Sequence, residues 1–124
     1  MFYYIKNNYP VKKAVINDVN KELILTYKVV QNDISRLFKF LERYQKEYIP
    51  LEESDRKKYF YDFRDHFNAN RFDIDYENYS EKWVCRAAQV IFLNKTCFNG
   101  LFRFNKQGEF NTPYGSYKNP KIFN

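Results

Sequence analysis

Residues 97–118 read CFNGLFRFNKQGEFNTPYGSYK, a run in which aromatic, polar and glycine residues follow one another closely. From Leu101 to Asn105 the residues follow the alternating pattern of a β-strand. Lys106-Gln107-Gly108 can form a turn, and Glu109-Phe110-Asn111 can form a second strand that runs antiparallel to the first. This pattern predicts a β-hairpin over about 101–111, with Gly108 at the turn position that needs a positive φ. Because side chains alternate along a strand, Leu101, Arg103 and Asn105 would share one face of the hairpin.

Upstream of this segment the pattern is mostly helical. Apolar spacing predicts four amphipathic helices, which cover about 21–31, 34–49, 55–68 and 81–94. Pro50 should end the second helix and Ser80 should cap the fourth, which is apolar on most sides and should be the most buried. Before them, residues 13–17 read as a short buried strand. We therefore predict a mainly α fold with one β-hairpin and one short strand.

Composition limits the class of protein. The chain has 124 residues, of which 44% are hydrophobic and 21% aromatic, so it can bury a core as one domain or part of one. No apolar run reaches the ~18 residues of a membrane span, and no secretory leader is recognisable, so we expect a cytoplasmic protein. Two cysteines and one histidine favour neither a disulfide framework nor a metal site, and we assign no metal ligand.

Positive charge is concentrated in the last third of the chain. The formal net charge is +6, and residues 82–124 hold seven basic side chains against the single acidic Glu109. The same segment is rich in Phe, Tyr, Asn and Gly. Basic and aromatic residues mixed in this way fit a nucleic acid, and they equally fit a solvated basic face above an aromatic core. Composition alone leaves these two interpretations open.

Two residues are candidates for specific chemistry. Asp18 follows the predicted strand and precedes a helix, a position where a carboxylate can hold a ribose or simply cap the helix. Arg103 on an exposed hairpin can donate two hydrogen bonds to guanine, or it can belong to an ordinary surface hairpin. His66 has no serine or cysteine partner at a recognisable spacing, so we assign no catalytic residue.

The segment from Asn99 to Lys118 resembles the recognition hairpin of Dam-type DNA adenine methyltransferases. It matches the family pattern N-G-L-x-R-x-N followed by G-x-F-N-x-P-x-G-x-Y-K throughout. Residues 14–24, AVINDVNKELI, resemble the family's strand-to-helix segment with its ribose-binding Asp. Residues 61–68, YDFRDHFN, resemble its Y-x-x-R-x-x-F-N helix. The resemblance thus extends over nearly the whole chain.

This resemblance implies methyl transfer from S-adenosylmethionine to the amino group of adenine in double-stranded DNA, commonly within GATC, after the base is flipped out. Asp18 would hold the ribose of the cofactor, and Phe98 would intercalate into the base stack. The implied base contacts are Leu101, Arg103 and Pro113. The implied phosphate contacts are Arg64, Lys95, Asn99, Asn105, Asn111 and Lys118.

The resemblance also implies two parts. Residues 1–31 would be a remnant of the Rossmann-like, cofactor-binding catalytic domain, and residues 32–124 would be the helical target-recognition domain. The family's F-x-G-x-G and D-P-P-Y motifs do not occur in these 124 residues. We therefore expect an internal fragment or truncated product that by itself neither binds S-adenosylmethionine nor methylates DNA. A homodimer or a complementing polypeptide could complete it. The alternatives are a stand-alone, non-catalytic DNA-binding module and a nonfunctional remnant.

Overall fold

The computed structural model describes residues 10–116 and residue 122, with side chains from residue 19 onward. Four helices follow one another: α1 (Pro10–Asn32), α2 (Ile34–Tyr48), α3 (Glu53–Asn70) and α4 (Glu81–Thr96). Short 3-10 helices lie at Arg71–Asp73 and Phe98–Gly100. The predicted break after α1 and the predicted N-cap position of Ser80 are confirmed.

Helix α4 is the centre of the fold because α1, α2 and α3 all pack against it. Its sequence explains this position, since apolar and small side chains occupy most of its sides. The buried residues of α4 are Trp83, Val84, Arg86, Ala87, Ala88, Val90, Phe92, Leu93 and Thr96. The prediction that this helix is the most buried one is therefore confirmed.

Aromatic side chains fill the space between α2, α3 and α4. The ring of Phe92 lies 4.3 Å from Phe63, 5.2 Å from Tyr48 and 5.7 Å from Tyr44, measured between centroids. Several of these pairs are edge-to-face, the arrangement that aromatic quadrupoles favour. The many Phe and Tyr residues thus build the core of this part of the chain, as well as contributing to its surface.

The predicted strand at 13–17 is wrong, because these residues lie inside α1. A single strand leaves its backbone N–H and C=O groups unpaired unless a neighbouring strand accepts them. Residues 10–116 contain no sheet that such a strand could join. A helix pairs the same groups within the segment, and Pro10 suits its first position because that residue needs no N–H donor. No remnant of a Rossmann-like sheet is present among these residues.

A buried ion pair joins α1 to the remaining helices. Arg86 donates from Nε to Glu22 Oε1 at 3.0 Å and from Nη2 to Glu22 Oε2, and Nη1 donates to the carbonyl of Phe67. Tyr76 donates to the same carboxylate at 3.0 Å. Both charged side chains are almost completely buried. The second half of α1 therefore packs into the common core, and the division of the chain at residue 31 stays a prediction.

Two kinds of feature are absent from the described part of the chain. None of its helices is long and apolar enough to cross a bilayer. Within the same residues, no three side chains of His, Cys, Asp or Glu come together as a metal ion would require.

Candidate nucleic-acid interface

Residues 97–114, called the ribbon below, leave the end of α4 and reverse direction without forming regular strands. The β-bridges between its two sides are isolated antiparallel ones, Cys97 with Tyr114 and Phe104 with Phe110. Between them, the backbone N–H of Asn111 donates to the carbonyl of Arg103 at 3.1 Å. The β-hairpin predicted over 101–111 is not shown as paired strands; these residues form an antiparallel chain reversal with a single bridge between Phe104 and Phe110.

The turn of the ribbon depends on Asn105 and Gly108. Gly108 donates its N–H to the carbonyl of Asn105 at 3.1 Å and has φ +81, as predicted for this position. The side-chain oxygen of Asn105 accepts the N–H groups of Gln107 and Glu109, each at 3.0 Å. This amide therefore stabilises the turn, and its predicted contact with a DNA phosphate stays a prediction.

A second tight bend brings the ribbon away from α4. Asn99 and Gly100 both have positive φ, +54 and +63, and the side chain of Asn94 donates to the carbonyl of Gly100 at 3.2 Å. Cys97 lies buried behind this bend, and burial raises the pKa of its thiol to about 11. The bend leaves Phe98 and Asn99 on the surface.

The motif Y-x-x-R-x-x-F-N on α3 anchors the far side of the ribbon. Its four side chains lie on one face of the helix because they are separated by three, three and one positions. The hydroxyl of Tyr61 accepts the backbone N–H of Tyr114 at 3.2 Å, and Arg64 Nη1 donates to the carbonyl of Thr112 at 3.1 Å. The ring of Phe67 packs 6.2 Å from that of Phe110.

Asn68 makes the most complete of these anchoring contacts. Its side-chain nitrogen donates to the carbonyl of Phe110 at 3.0 Å, and its side-chain oxygen accepts the N–H of the same residue at 2.7 Å. Thr112 adds a link across the ribbon, because its hydroxyl donates to the carbonyl of Leu101 and accepts the N–H of Arg103 at 3.4 Å. Asn68 and Thr112 are both buried. Asn68 thus holds the backbone of the ribbon at Phe110, and Thr112 holds it at Leu101 and Arg103.

The predicted DNA-contacting residues fall into three groups. The residues of the first group are exposed at the end of α4 or on the ribbon: Lys95, Phe98, Asn99, Leu101, Arg103, Asn111 and Pro113. Phe98 is 49% exposed and Leu101 is 41% exposed. Arg64 and Asn105 are half-buried and bond within the protein. Lys118 lies outside the described residues.

Asp18, the predicted ribose ligand of S-adenosylmethionine, lies within α1, and its side chain is outside those described. The sequence-based assignment required a carboxylate at the end of a parallel strand. Helical backbone at this position differs from the strand end that the assignment assumed. We assign no chemical step through this cofactor, and the role of Asp18 stays a prediction.

Sequence reasoning assigned no role to Asn68, Thr112 or Tyr61, which shape the interface from below. The sequence did contain a signal for Asn68 and Tyr61, because both belong to a motif whose members share one helix face with Arg64. The sequence did not show which segment packs against that face, because Asn68 and its partner Phe110 are 42 positions apart in the chain.

Comparison with known proteins supports the resemblance. The D12 class N6 adenine-specific DNA methyltransferase family matches residues 1–124. The type II methyltransferase M.MjaIII of Methanocaldococcus jannaschii is 50% identical over 123 residues, which are 99% of this chain and 40% of that protein. The DNA N-6-adenine-methyltransferase of Escherichia phage P1 is 35% identical over 109 residues, 88% of this chain and 12% of that protein. The DNA adenine methylase of Escherichia coli strain K12 is 30% identical over 113 residues, 91% of this chain and 35% of that protein.

The chain spans 40% or less of the length of each of these relatives. The family match nevertheless runs from its first residue to its last. The chain therefore belongs to the D12 class N6 adenine-specific DNA methyltransferase family.

Proposed function

We propose that the exposed face of the ribbon is the surface through which this methyltransferase recognises its DNA target, with Arg103 as the principal base-reading side chain. The observation that carries the proposal is the placement of Arg103. Its side chain is exposed, while its backbone N–H is held by the hydroxyl of buried Thr112, whose own carbonyl accepts a bond from Arg64 on α3.

The neighbours of Arg103 fit a groove that displays base edges. An arginine can donate two parallel hydrogen bonds to the O6 and N7 atoms of guanine. Exposed Leu101 provides an apolar surface for a thymine methyl group, and Pro113 lies on the same exposed part of the ribbon. A target that contains guanine and thymine, such as GATC, satisfies both kinds of contact.

Phe98 and the polar residues around it complete the interface. Phe98 is exposed at the bend that leaves α4, where an aromatic side chain can enter a base step and favour extrusion of the adenine. Lys95, Asn99 and Asn111 are exposed and can contact the phosphate backbone, which orients the protein without reading sequence.

Rigid anchoring supports a role in specificity. A reading side chain on a mobile loop loses conformational entropy when it binds, whereas one on a fixed backbone loses less. The contacts from Asn68 and Arg64 fix the ribbon before DNA arrives. The ribbon therefore has the pre-organisation that discrimination between bases requires.

Intact enzymes of this family use S-adenosylmethionine as the methyl donor. We propose that the whole enzyme methylates the adenine amino group and that residues 95–113 select the DNA sequence in which it does so. The names of the relatives, such as DNA adenine methylase, state activity on DNA. We propose that the substrate of this enzyme is double-stranded DNA.

The test is a DNA-binding titration of the 124-residue chain, with fluorescent duplexes that contain GATC or a scrambled site. We expect Arg103→Ala to reduce the ratio of the two affinities about tenfold, the low to middle range for loss of a two-bond contact to guanine. Arg43→Ala, on the exposed side of α2, is the matched control and should leave the ratio unchanged. Lys95→Ala should weaken both duplexes alike. An unchanged ratio in Arg103→Ala, or equal affinity of the wild type for both duplexes, would overturn the proposal.

A further inference from the structure

A cavity of about 260 Å³ lies at the turn of the ribbon, where the ribbon meets α1 and the 3-10 helix that follows α3. Basic residues reach it from all three segments: Lys21 from α1, Arg71 from the 3-10 helix and Lys106 from the turn. None of these three residues belongs to the interface described above.

Arg71 is held in place at the edge of this cavity. Its Nη1 donates to the carbonyl of Asn68, its Nη2 donates to the carbonyl of Gln107 at 3.4 Å, and its guanidinium lies 4.1 Å from the ring centroid of Phe72. Lys21 Nζ lies 5.1 Å from the ring centroid of Tyr76. The cations are therefore partly ordered around the opening by contacts within the protein.

The local charge favours an anion. Glu22 also lines the cavity, but both of its carboxylate oxygens accept hydrogen bonds from Arg86, which balances its charge. Three cations then face the space from separate segments, which is the arrangement that concentrates a phosphate-sized anion. Phe72 is 78% exposed beside them, so it offers a flat apolar face next to the basic cluster.

We propose that this cavity holds a backbone phosphate of the DNA, outside the bases that Arg103 reads, with Phe72 against the adjoining sugar or an unstacked base. The inference rests on the proposed function, because it places the DNA along the ribbon. Lys106 lies at the turn, lines the cavity, is exposed and follows Arg103 by three residues. A duplex whose bases lie at Arg103 would therefore continue past the turn towards Lys106.

DNA is favoured over a free anion because an exposed aromatic side chain accompanies the cations. Inorganic phosphate has no apolar part that could contact Phe72, whereas a nucleotide unit has both a phosphate and a sugar or base. The contact should be independent of sequence, since phosphates and sugars are common to all sites.

The test measures how the DNA affinity of the chain depends on salt between about 50 and 200 mM. Lys21→Ala and Lys106→Ala should each lower the slope of log affinity against log salt by about one, to the same extent for GATC and scrambled duplexes. Lys39→Ala is the matched control, since Lys39 is an exposed lysine on α2, and its slope should equal that of the wild type. Phe72→Ala should weaken both duplexes with little change in slope.

The outcomes separate this inference from the proposed function. Wild-type slopes in both Lys21→Ala and Lys106→Ala would overturn the phosphate site, even if Arg103→Ala still loses its preference for GATC. A tenfold excess of inorganic phosphate over the duplex, compared with chloride at equal ionic strength, provides a second arm. One outcome would show a site for a free anion and would also contradict the proposal. In that outcome, phosphate competes with the duplex for the wild type but not for Lys106→Ala, while the salt slopes for DNA stay at the wild-type value.

Discussion

The helical core and the ribbon are stabilised in different ways. In the core, aromatic and aliphatic side chains from α2, α3 and α4 bury one another, and the backbone hydrogen bonds are local to each helix. In the ribbon, two isolated bridges are supplemented by side-chain-to-backbone hydrogen bonds from Asn68, Arg64, Asn105 and Thr112. Packing defines the helical core, whereas the ribbon packs Phe104 and Phe110 into that core and relies in addition on polar side chains that hold its backbone.

This difference determines which substitutions each region tolerates. A core of many aromatic residues absorbs changes that conserve volume, because its energy is spread over many contacts. The ribbon depends on single hydrogen bonds with fixed geometry, so a change of one atom can alter its conformation. Three substitutions test this contrast, beginning with an exception inside the core.

The largest effect is expected from the buried pair of Glu22 and Arg86. Glu22→Ala should lower the free energy of unfolding by about 3–5 kcal/mol, because it leaves the guanidinium of Arg86 buried without its counter-charge. Urea denaturation followed by circular dichroism measures the loss. The double variant Glu22→Leu with Arg86→Met should recover much of it, since an apolar pair of similar volume has no charge to desolvate. A single variant as stable as the wild type would show that this pair does not link α1 to the core.

A smaller and more local effect is expected from Asn68. Asn68→Asp keeps the shape but places a carboxylate oxygen against the carbonyl of Phe110 instead of an N–H donor. One lost bond to a buried backbone group costs about 1–3 kcal/mol. The ribbon should open more often, and the readout is the rate at which Cys97 reacts with a thiol reagent near pH 8, in a Cys85→Ser background.

Cys97 suits this measurement because it is buried, and burial raises the pKa of its thiol to about 11, so it reacts slowly while the ribbon is closed. Asn32→Asp is the matched control, because Asn32 is exposed at the end of α1. Equal labelling rates in both variants would mean that the amide of Asn68 does not hold the ribbon.

The smallest effect is expected at the turn. Gly108 has φ +81, where a Cβ atom costs about 1–2 kcal/mol, so Gly108→Ala should destabilise the turn by that amount. Gly108→Asn should cost less, because asparagine tolerates left-handed backbone better than alanine does. The ratio of affinities for GATC and scrambled duplexes should fall in the alanine variant and stay closer to wild type in the asparagine variant. The same ratio in both variants as in the wild type would separate the turn from recognition.

The site could be predicted from the sequence in part. The resemblance carried by the motif around Arg103 indicated a DNA adenine methyltransferase, and the family comparison confirms that level of description, whereas the basic, aromatic composition of the last third left a nucleic-acid surface and a solvated basic face both open. The contribution of each residue was harder to assign. Asn105 and Arg64 were predicted to face phosphates, and the structure shows that both also bond within the protein, because a polar side chain near a turn finds backbone partners close by.

The apolar periodicity of the sequence was sufficient to locate α2, α3 and α4 and to place the break before Ile34. It also identified α4 as the central helix, because an amphipathic pattern indicates which sides of a helix are buried. It was not sufficient for residues 13–17, where a short apolar run suits a strand or a helix and the presence of neighbouring strands decides between them. The ribbon and the cluster of Lys21, Arg71 and Lys106 also depend on tertiary structure. Glu22 and Arg86 are separated by 64 positions and Asn68 and Phe110 by 42, and local spacing contains no information about contacts over such distances.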